Sequence, residues 1–169
     1  MHPLLEDKNE NGFNIKIKLY HGSNSKFDVF DKDKAGSNTG YQDADKGFYL
    51  TSNPMLAENY AIGAVGRNGG LKTVMEFYVS VSNPKIYSRA TDFYRDLDTH
   101  KANGSSLVEL LKEQGIDSII VRDDMEEVII FNSEKIKPVK DFKLKKGLPE
   151  KSNSLSTSPS KSLSMELSF

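Results

Sequence analysis

The sequence predicts an α+β domain, a sheet of mostly antiparallel strands flanked by a few short helices. Short apolar runs rich in β-branched and aromatic residues outnumber helical patterns. Strands and helices do not alternate regularly, as a doubly wound parallel fold would require. The 169 residues hold one core comfortably and two only poorly.

Residues 1–12 are polar and turn-like toward their end and are expected to form a flexible lead-in. Phe13-Asn14-Ile15-Lys16-Ile17-Lys18-Leu19 alternates apolar and polar residues, the pattern of a half-buried strand, and runs directly into His21. The stretch from Asp31 to Lys46 is rich in Gly and Asp without sustained period and reads as a long loop of functional or mobile character. Gly47 to Thr51 is a second short strand. Ser52-Asn53-Pro54 then opens a helix, with a capping side chain and a proline where the missing N–H costs nothing. That helix carries Leu56, Ala57, Tyr60 and Ala61, and the glycines between Gly63 and Gly70 are expected to end it.

Leu71 to Val81 predicts a strand closed by Asn83-Pro84, and Ala90 to Leu97 a weak helix. Ser106 and Glu109 form a capping box for a helix with Leu107, Leu110 and Leu111 that stops at Gly115. Ile116 to Val121 and Glu127 to Phe131 read as a hairpin turning at Arg122-Asp123-Asp124-Met125. The folded domain is thus expected over residues 13–142. The Ser- and Lys-rich segment 143–169 buries too little apolar area to offset its ordering entropy and reads as a disordered tail.

Composition narrows the function classes. A net charge of −1 gives no basic footprint for obligatory nucleic-acid binding. Without cysteine there is no disulfide, thiolate metal site or cysteine nucleophile. His2, His21 and His100 lack metal spacing, His2 lying in the lead-in and His100 in a polar stretch. No segment approaches the length of a membrane span, and no leader is visible. A cytoplasmic monomer is expected, with delivery into a host cell by a phage or a specialised secretion route left open.

Chemistry concentrates in three places. Leu19-Tyr20-His21-Gly22-Ser23, Lys46-Gly47-Phe48-Tyr49 and Glu126-Glu127-Val128-Ile129-Ile130-Phe131 deliver a histidine, a tyrosine and a carboxylate from three strands. Taken singly, His21 ends a strand, Tyr49 is a core aromatic and Glu127 is a solvated edge residue. Taken in order, they suit a polar, aromatic nucleotide.

In this order the segments resemble the His-Tyr-Glu branch of the ADP-ribosyltransferases, the diphtheria-toxin-like and poly(ADP-ribose)-polymerase-like enzymes. The likeness is widest to the small ADP-ribosyltransferase domains of phage and plasmid polyvalent proteins. It spans about Lys18 to Lys140 and includes Phe27-Asp28-Val29-Phe30, Ala57-Glu58-Asn59-Tyr60, Ser82-Asn83-Pro84, Gly115-Ile116-Asp117 and Glu127 through Ile136-Lys137. The resemblance implies a split antiparallel β-sheet fold and NAD as substrate, with no metal. It further implies ADP-ribose transfer to a macromolecular acceptor, protein or nucleic acid, in a phage or bacterial toxin or effector.

By that resemblance Glu127 stabilises the ribosyl cation, and Tyr49 and Tyr60 offer ring faces to nicotinamide. The Gly22 backbone holds the carboxamide, and His21 donates to a ribose hydroxyl. Where polymerase-like relatives carry a serine for the carboxamide this chain has Ala57, so that bond is absent or falls to Ser23 or Ser52. Glu126 is the alternative carboxylate, because alternation along a strand lets only one of the two neighbours face the site. The arginine-directed Glu-x-Glu pattern is missing, since Met125 stands two residues before Glu127. An NAD glycohydrolase and an inactive NAD- or protein-binding module are the other readings. The Asp31–Lys46 loop and the Arg122–Met125 turn are the expected acceptor-reading surfaces.

Overall fold

The computed structural model describes residues 2–30, 47–123 and 126–142. Seven strands form one mixed sheet: β1 (Asn14–Ser23), β2 (Phe48–Thr51), β3 (Thr73–Val79), β4 (Pro84–Tyr87), β5 (Ser118–Val121), β6 (Glu127–Ile130) and β7 (Ile136–Pro138), in the order β4-β5-β6-β2-β1-β3-β7. Helices α1 (Pro54–Asn68), α2 (Ala90–Ala102) and α3 (Leu107–Glu113) flank it, and residues 139–142 are also helical. The predicted α+β class therefore stands. The Asp31–Lys46 loop and the 143–169 tail lie outside the described residues.

The sheet is divided near its middle. β2 pairs closely with β6, and β1 with β3, but β1 and β2 share only the pair Tyr20↔Thr51. Beyond that pair the ladder is broken, leaving a seam between β7-β3-β1 and β2-β6-β5-β4.

Two apolar layers cover the sheet. One holds Leu19, Phe48, Leu50, Phe77, Val128 and Ile130, with Leu4 and Phe30 from outside the strands. The other holds Tyr49, Ile119, Val121 and Ile129 beneath Phe93 and Leu97 of α2 and Leu107, Val108 and Leu111 of α3. The residues of β6 thus alternate strictly between layers, as the period of two requires.

Two expectations need correction, and a third is narrowed to one residue. The lead-in is not a loose end, because Pro3–Leu5 form a 3-10 turn and Leu4 is buried in the first layer. Buried Asn14 ties that turn down, donating from Nδ2 to the carbonyls of Pro3 (3.1 Å) and Glu6 (2.6 Å). Its Oδ1 meanwhile accepts from the amides of Lys16 and Ile17, where the register between β1 and β3 shifts. One compact unit runs from Met1 to Pro138.

The helix α1 passes through Gly63 and Gly66 and ends only at Gly69, whose φ of 74° and N–H bond to Val65 form the stop. Finally, Asn83-Pro84 begins a strand as well as following one. Pro84 is the first residue of β4, at the sheet edge, where a missing N–H is tolerated. β4 pairs in parallel with β5, a geometry the periodicity could not reveal. The connection that parallel pairing demands is made by α2 and α3.

Two of the quoted segments hold this edge together. The Asp117 carboxylate accepts from the amides of Ser82 (2.7 Å) and Asn83 (3.0 Å), and Asn83 Nδ2 donates to the Gly115 carbonyl (2.9 Å). Gly115 takes a φ of 80°, a conformation that favours glycine. Ser82-Asn83-Pro84 and Gly115-Ile116-Asp117 are thus two halves of one structural clasp.

Candidate active site

Glu127 opens β6 and, far from being a solvated edge residue, is 4% exposed. Its register partner on β2 is Thr51, and the partner of Thr51 on β1 is Tyr20, so these three side chains share one face of the sheet. A carboxylate so buried needs strong partners. Among the described residues it has no cationic one. Tyr60 of α1 donates to Oε2, and Tyr94 of α2 donates to Oε1 at 2.8 Å. Burial raises the Glu127 pKa above the usual carboxylate range, and the two phenol bonds, which favour the ionised form, pull in the opposite direction. The Tyr60 phenol is pushed strongly upward, first by burial and then by the Glu127 charge, with Tyr94 and Tyr49 adding to it. Two phenols therefore grip the carboxylate, and Tyr60, its pKa pushed up, stays protonated at neutral pH beside it.

Each partner is held by its own scaffold. Tyr60 is fixed by the start of α1, where Asn53 Oδ1 caps the Met55 amide at 2.9 Å and Pro54 sits in the first turn. Thr51 joins that start to β6: its hydroxyl donates to the Glu126 carbonyl (2.6 Å) and accepts from the Asn53 amide (3.0 Å). Tyr94 is fixed by Phe93 and Leu97, which bury one side of α2, and by the bond of Tyr87 Oη on β4 to Asp96 Oδ2 (2.9 Å). Arg89 makes no capping bond at the N-terminus of α2, but Asp123 accepts from the Ala90 amide at 2.8 Å. An acidic group there is favoured by the helix dipole as well. Asp123, expected to help read an acceptor, thus anchors the helix that carries Tyr94. Residues 124 and 125 of the same turn are outside the described residues. Beside Tyr94, α2 borders an open recess of about 640 Å³ whose polar lining includes Arg95, Asp98 and Thr99.

His21 occupies the seam rather than the Glu127 face. It neighbours Tyr20 on β1 and so points to the other layer, where its ring meets Phe27 at 5.6 Å and Phe30 at 4.8 Å, edge-on. Its Nδ1 lies 2.7 Å from the Tyr49 carbonyl, taking up an acceptor on β2 just where the β1–β2 ladder stops. A carbonyl only accepts, so Nδ1 carries the proton. Burial lowers the His21 pKa to about 4, partly offset by this bond, and the ring is neutral at physiological pH. Nε2 is then an acceptor.

The structure brings Glu127, Tyr49 and Tyr60 together on one side of the sheet and ties His21 to them through the Tyr49 main chain. Gly22 has a packing task. A Cβ there would overlap the Ala57 carbonyl and stand 2.8 Å from the Ala61 amide nitrogen, so glycine lets α1 lie directly on β1. Ala57, Ala61 and Ala64 are the buried face of that helix. Ala57 is thus a packing residue of the β1–α1 contact. Ser23 is buried, with its hydroxyl near Asn24 Oδ1 (3.5 Å) and the Ser25 amide (3.4 Å), while Ser52 is exposed.

Glu126 is engaged elsewhere. His2 accepts from the Leu4 amide at Nδ1 and donates from Nε2 to Glu126 Oε2 at 2.8 Å, so a histidine expected in a loose terminus is a buried partner. The residue that sequence reasoning missed is Tyr94. No spacing marks it out, since Phe93 and Leu97 carry the helical period and Tyr94 follows Phe93 as an ordinary flank. The His100 ring meets the Ser105 hydroxyl at 2.9 Å. Among the described residues no group of three metal-ligating side chains converges, and no helix is long and apolar enough to cross a membrane.

A search of the curated proteins finds no match for this chain. The family model described as ADP-ribosyltransferase in polyvalent proteins matches residues 9–144. That span holds β1 to β7, α1 to α3, and Glu127 with its phenol partners. The chain belongs to the ADP-ribosyltransferase family of polyvalent proteins.

Proposed function

We propose that this domain is a mono-ADP-ribosyltransferase that takes NAD as substrate and transfers ADP-ribose to a macromolecular acceptor, protein or nucleic acid. The observation that supports this most is Glu127, a buried carboxylate with two phenol donors and, among the described residues, no cation to neutralise it. Such a group is costly to the fold and suits a site where positive charge develops.

In the reaction the bond between the nicotinamide nitrogen and the ribose anomeric carbon breaks, and its electron pair leaves with nicotinamide as a neutral molecule. Positive charge spreads over the anomeric carbon and the ring oxygen, as in glycoside cleavage. The acceptor then bonds to that carbon and releases its proton. Glu127 accepts a hydrogen bond from a ribose hydroxyl and stabilises the cation. Removing a preorganised group of this kind costs on the order of 10²–10³ in rate. Tyr49 and Tyr60 provide ring faces for nicotinamide. Neutral His21 accepts from a ribose hydroxyl on the adenosine side.

The test is incubation with NAD labelled in its adenylate half and a whole-cell lysate, comparing wild type with Glu127→Ala. Label on a macromolecule with wild type alone supports the proposal and identifies the acceptor class. Release of nicotinamide without transferred label would replace it with a glycohydrolase. Equal traces from both proteins would leave a binding module.

A further inference from the structure

We infer that Tyr94 is a positioning residue for Glu127, holding one carboxylate oxygen throughout the reaction while the other is handed from Tyr60 to the substrate. The inference rests on the proposed NAD reaction for its functional consequence and on geometry for its core. Both Glu127 oxygens are occupied, Oε2 by Tyr60 and Oε1 by Tyr94. A ribose hydroxyl reaches the carboxylate more readily if one of these phenols yields. Tyr60 is the one expected to stack on nicotinamide, and it comes from α1, whose buried face is three alanines, Ala57, Ala61 and Ala64. Tyr94 has the firmer seat. Its ring packs on Phe93 at 4.9 Å, its helix is capped by Asp123, and Asp96 two residues on is tied to Tyr87.

A carboxylate with free rotation would present its oxygens in many orientations, and the catalytic gain from a charged group depends on its being fixed beforehand. A bond from Tyr94 to Oε1 fixes the plane of the group and aims Oε2 at the substrate. It also favours the ionised form, in which Glu127 acts. The titratable groups facing Glu127 are Tyr60 from α1, Tyr94 from α2 and, beside Tyr60, Tyr49 from β2; adjacent Glu126 is paired with His2. None of these is a cation, so among the described residues burial and the opposing phenol bonds act on the charge state without one.

Tyr94→Phe deletes the hydroxyl and keeps the ring on Phe93. Two readouts are needed. The first is the pH dependence of nicotinamide release: kcat should fall about 10-fold near neutral pH, the loss of one hydrogen bond to a charged group, with KM for NAD changed less than about twofold. The acid limb of kcat should also move to higher pH. A purely structural lesion would lower kcat at every pH and leave the limb in place, which would overturn the inference. The second readout is the titration of the Glu127 carboxyl by NMR with carbon-13-labelled glutamate, assigned against Glu127→Gln. It should shift upward in Tyr94→Phe, and an unchanged titration would overturn the inference by itself. If wild type releases no nicotinamide, the NAD reading and the catalytic service of Tyr94 fall together, while the titration still decides whether Tyr94 holds the carboxylate.

Discussion

Replacing Gly22 by alanine should destabilise the domain, although alanine is ordinarily the better residue in a strand. Removing glycine's excess freedom in the unfolded chain is worth roughly 0.5–1 kcal/mol. Against it stands the new methyl group, which would overlap the Ala57 carbonyl and sit 2.8 Å from the Ala61 nitrogen. These are helix backbone atoms, so no side chain can rotate aside, and the whole of α1 must lift from β1. Overpacking of this kind typically costs 1–3 kcal/mol, and with rigid backbone on both sides the net loss should be about 2 kcal/mol or more. At roughly 2–4 °C per kcal/mol for a domain of this size, the Tm falls by about 4–8 °C. Gly66→Ala is the control. It lies inside α1 with nothing within 4 Å of the added methyl, and alanine exceeds glycine in helix propensity by about 1 kcal/mol, so its Tm should rise by roughly 2–4 °C. Thermal unfolding followed by circular dichroism reads both. A Gly22→Ala protein as stable as wild type would refute the claim that this glycine exists for helix packing.

Asp117→Ala should cost about 1–3 kcal/mol, because it removes two hydrogen bonds to a charged group, from the exposed amides of Ser82 and Asn83; urea titration checks this, and a loss under 0.5 kcal/mol would show the clasp to be dispensable. His21 gives the fold a pH dependence of definite sign. Its folded pKa of about 4 lies below the unfolded value, so its contribution is complete above about pH 6.5 and is lost as pH falls toward 4. Denaturation series at pH 7, 5.5 and 4 should therefore fall more steeply for wild type than for His21→Gln, and parallel slopes would contradict a neutral, buried imidazole. Glu127→Gln should be at least as stable as wild type at pH 7, since burial has already raised the carboxyl pKa and the amide carries no charge to desolvate. A large drop in Tm would show that the ionised group stabilises the fold.

Local signals in the chain carried most of the fold. Alternation in Ile15 to Leu19, the Asn53-Pro54 helix start and the Ser106 cap each state their structure within a few residues, and each is found. What stayed hidden depends on distant partners. β4 is four residues long and owes its existence to parallel pairing with β5 and the Asp117 clasp. Gly63 and Gly66 look like a helix stop until packing of the alanine face extends α1 past them. His2 is a surface residue by every local rule, and its burial comes from Glu126, which lies 124 residues away. In the site, His21, Tyr49 and Glu127 were legible because strand segments frame them, and Tyr60 because the Asn53-Pro54 helix start precedes it. Tyr94 was not, because its importance lies in one hydroxyl crossing from α2 to β6, and helical periodicity says nothing about where a flanking phenol ends.

The central claim is that Glu127 is the group on which NAD cleavage depends, and nicotinamide release by purified protein tests it most directly. Wild type should release nicotinamide from NAD, and Glu127→Gln, folded and of undiminished Tm, should do so on the order of 10²–10³ more slowly. Equal rates from the two proteins, or no release from wild type, would contradict the account.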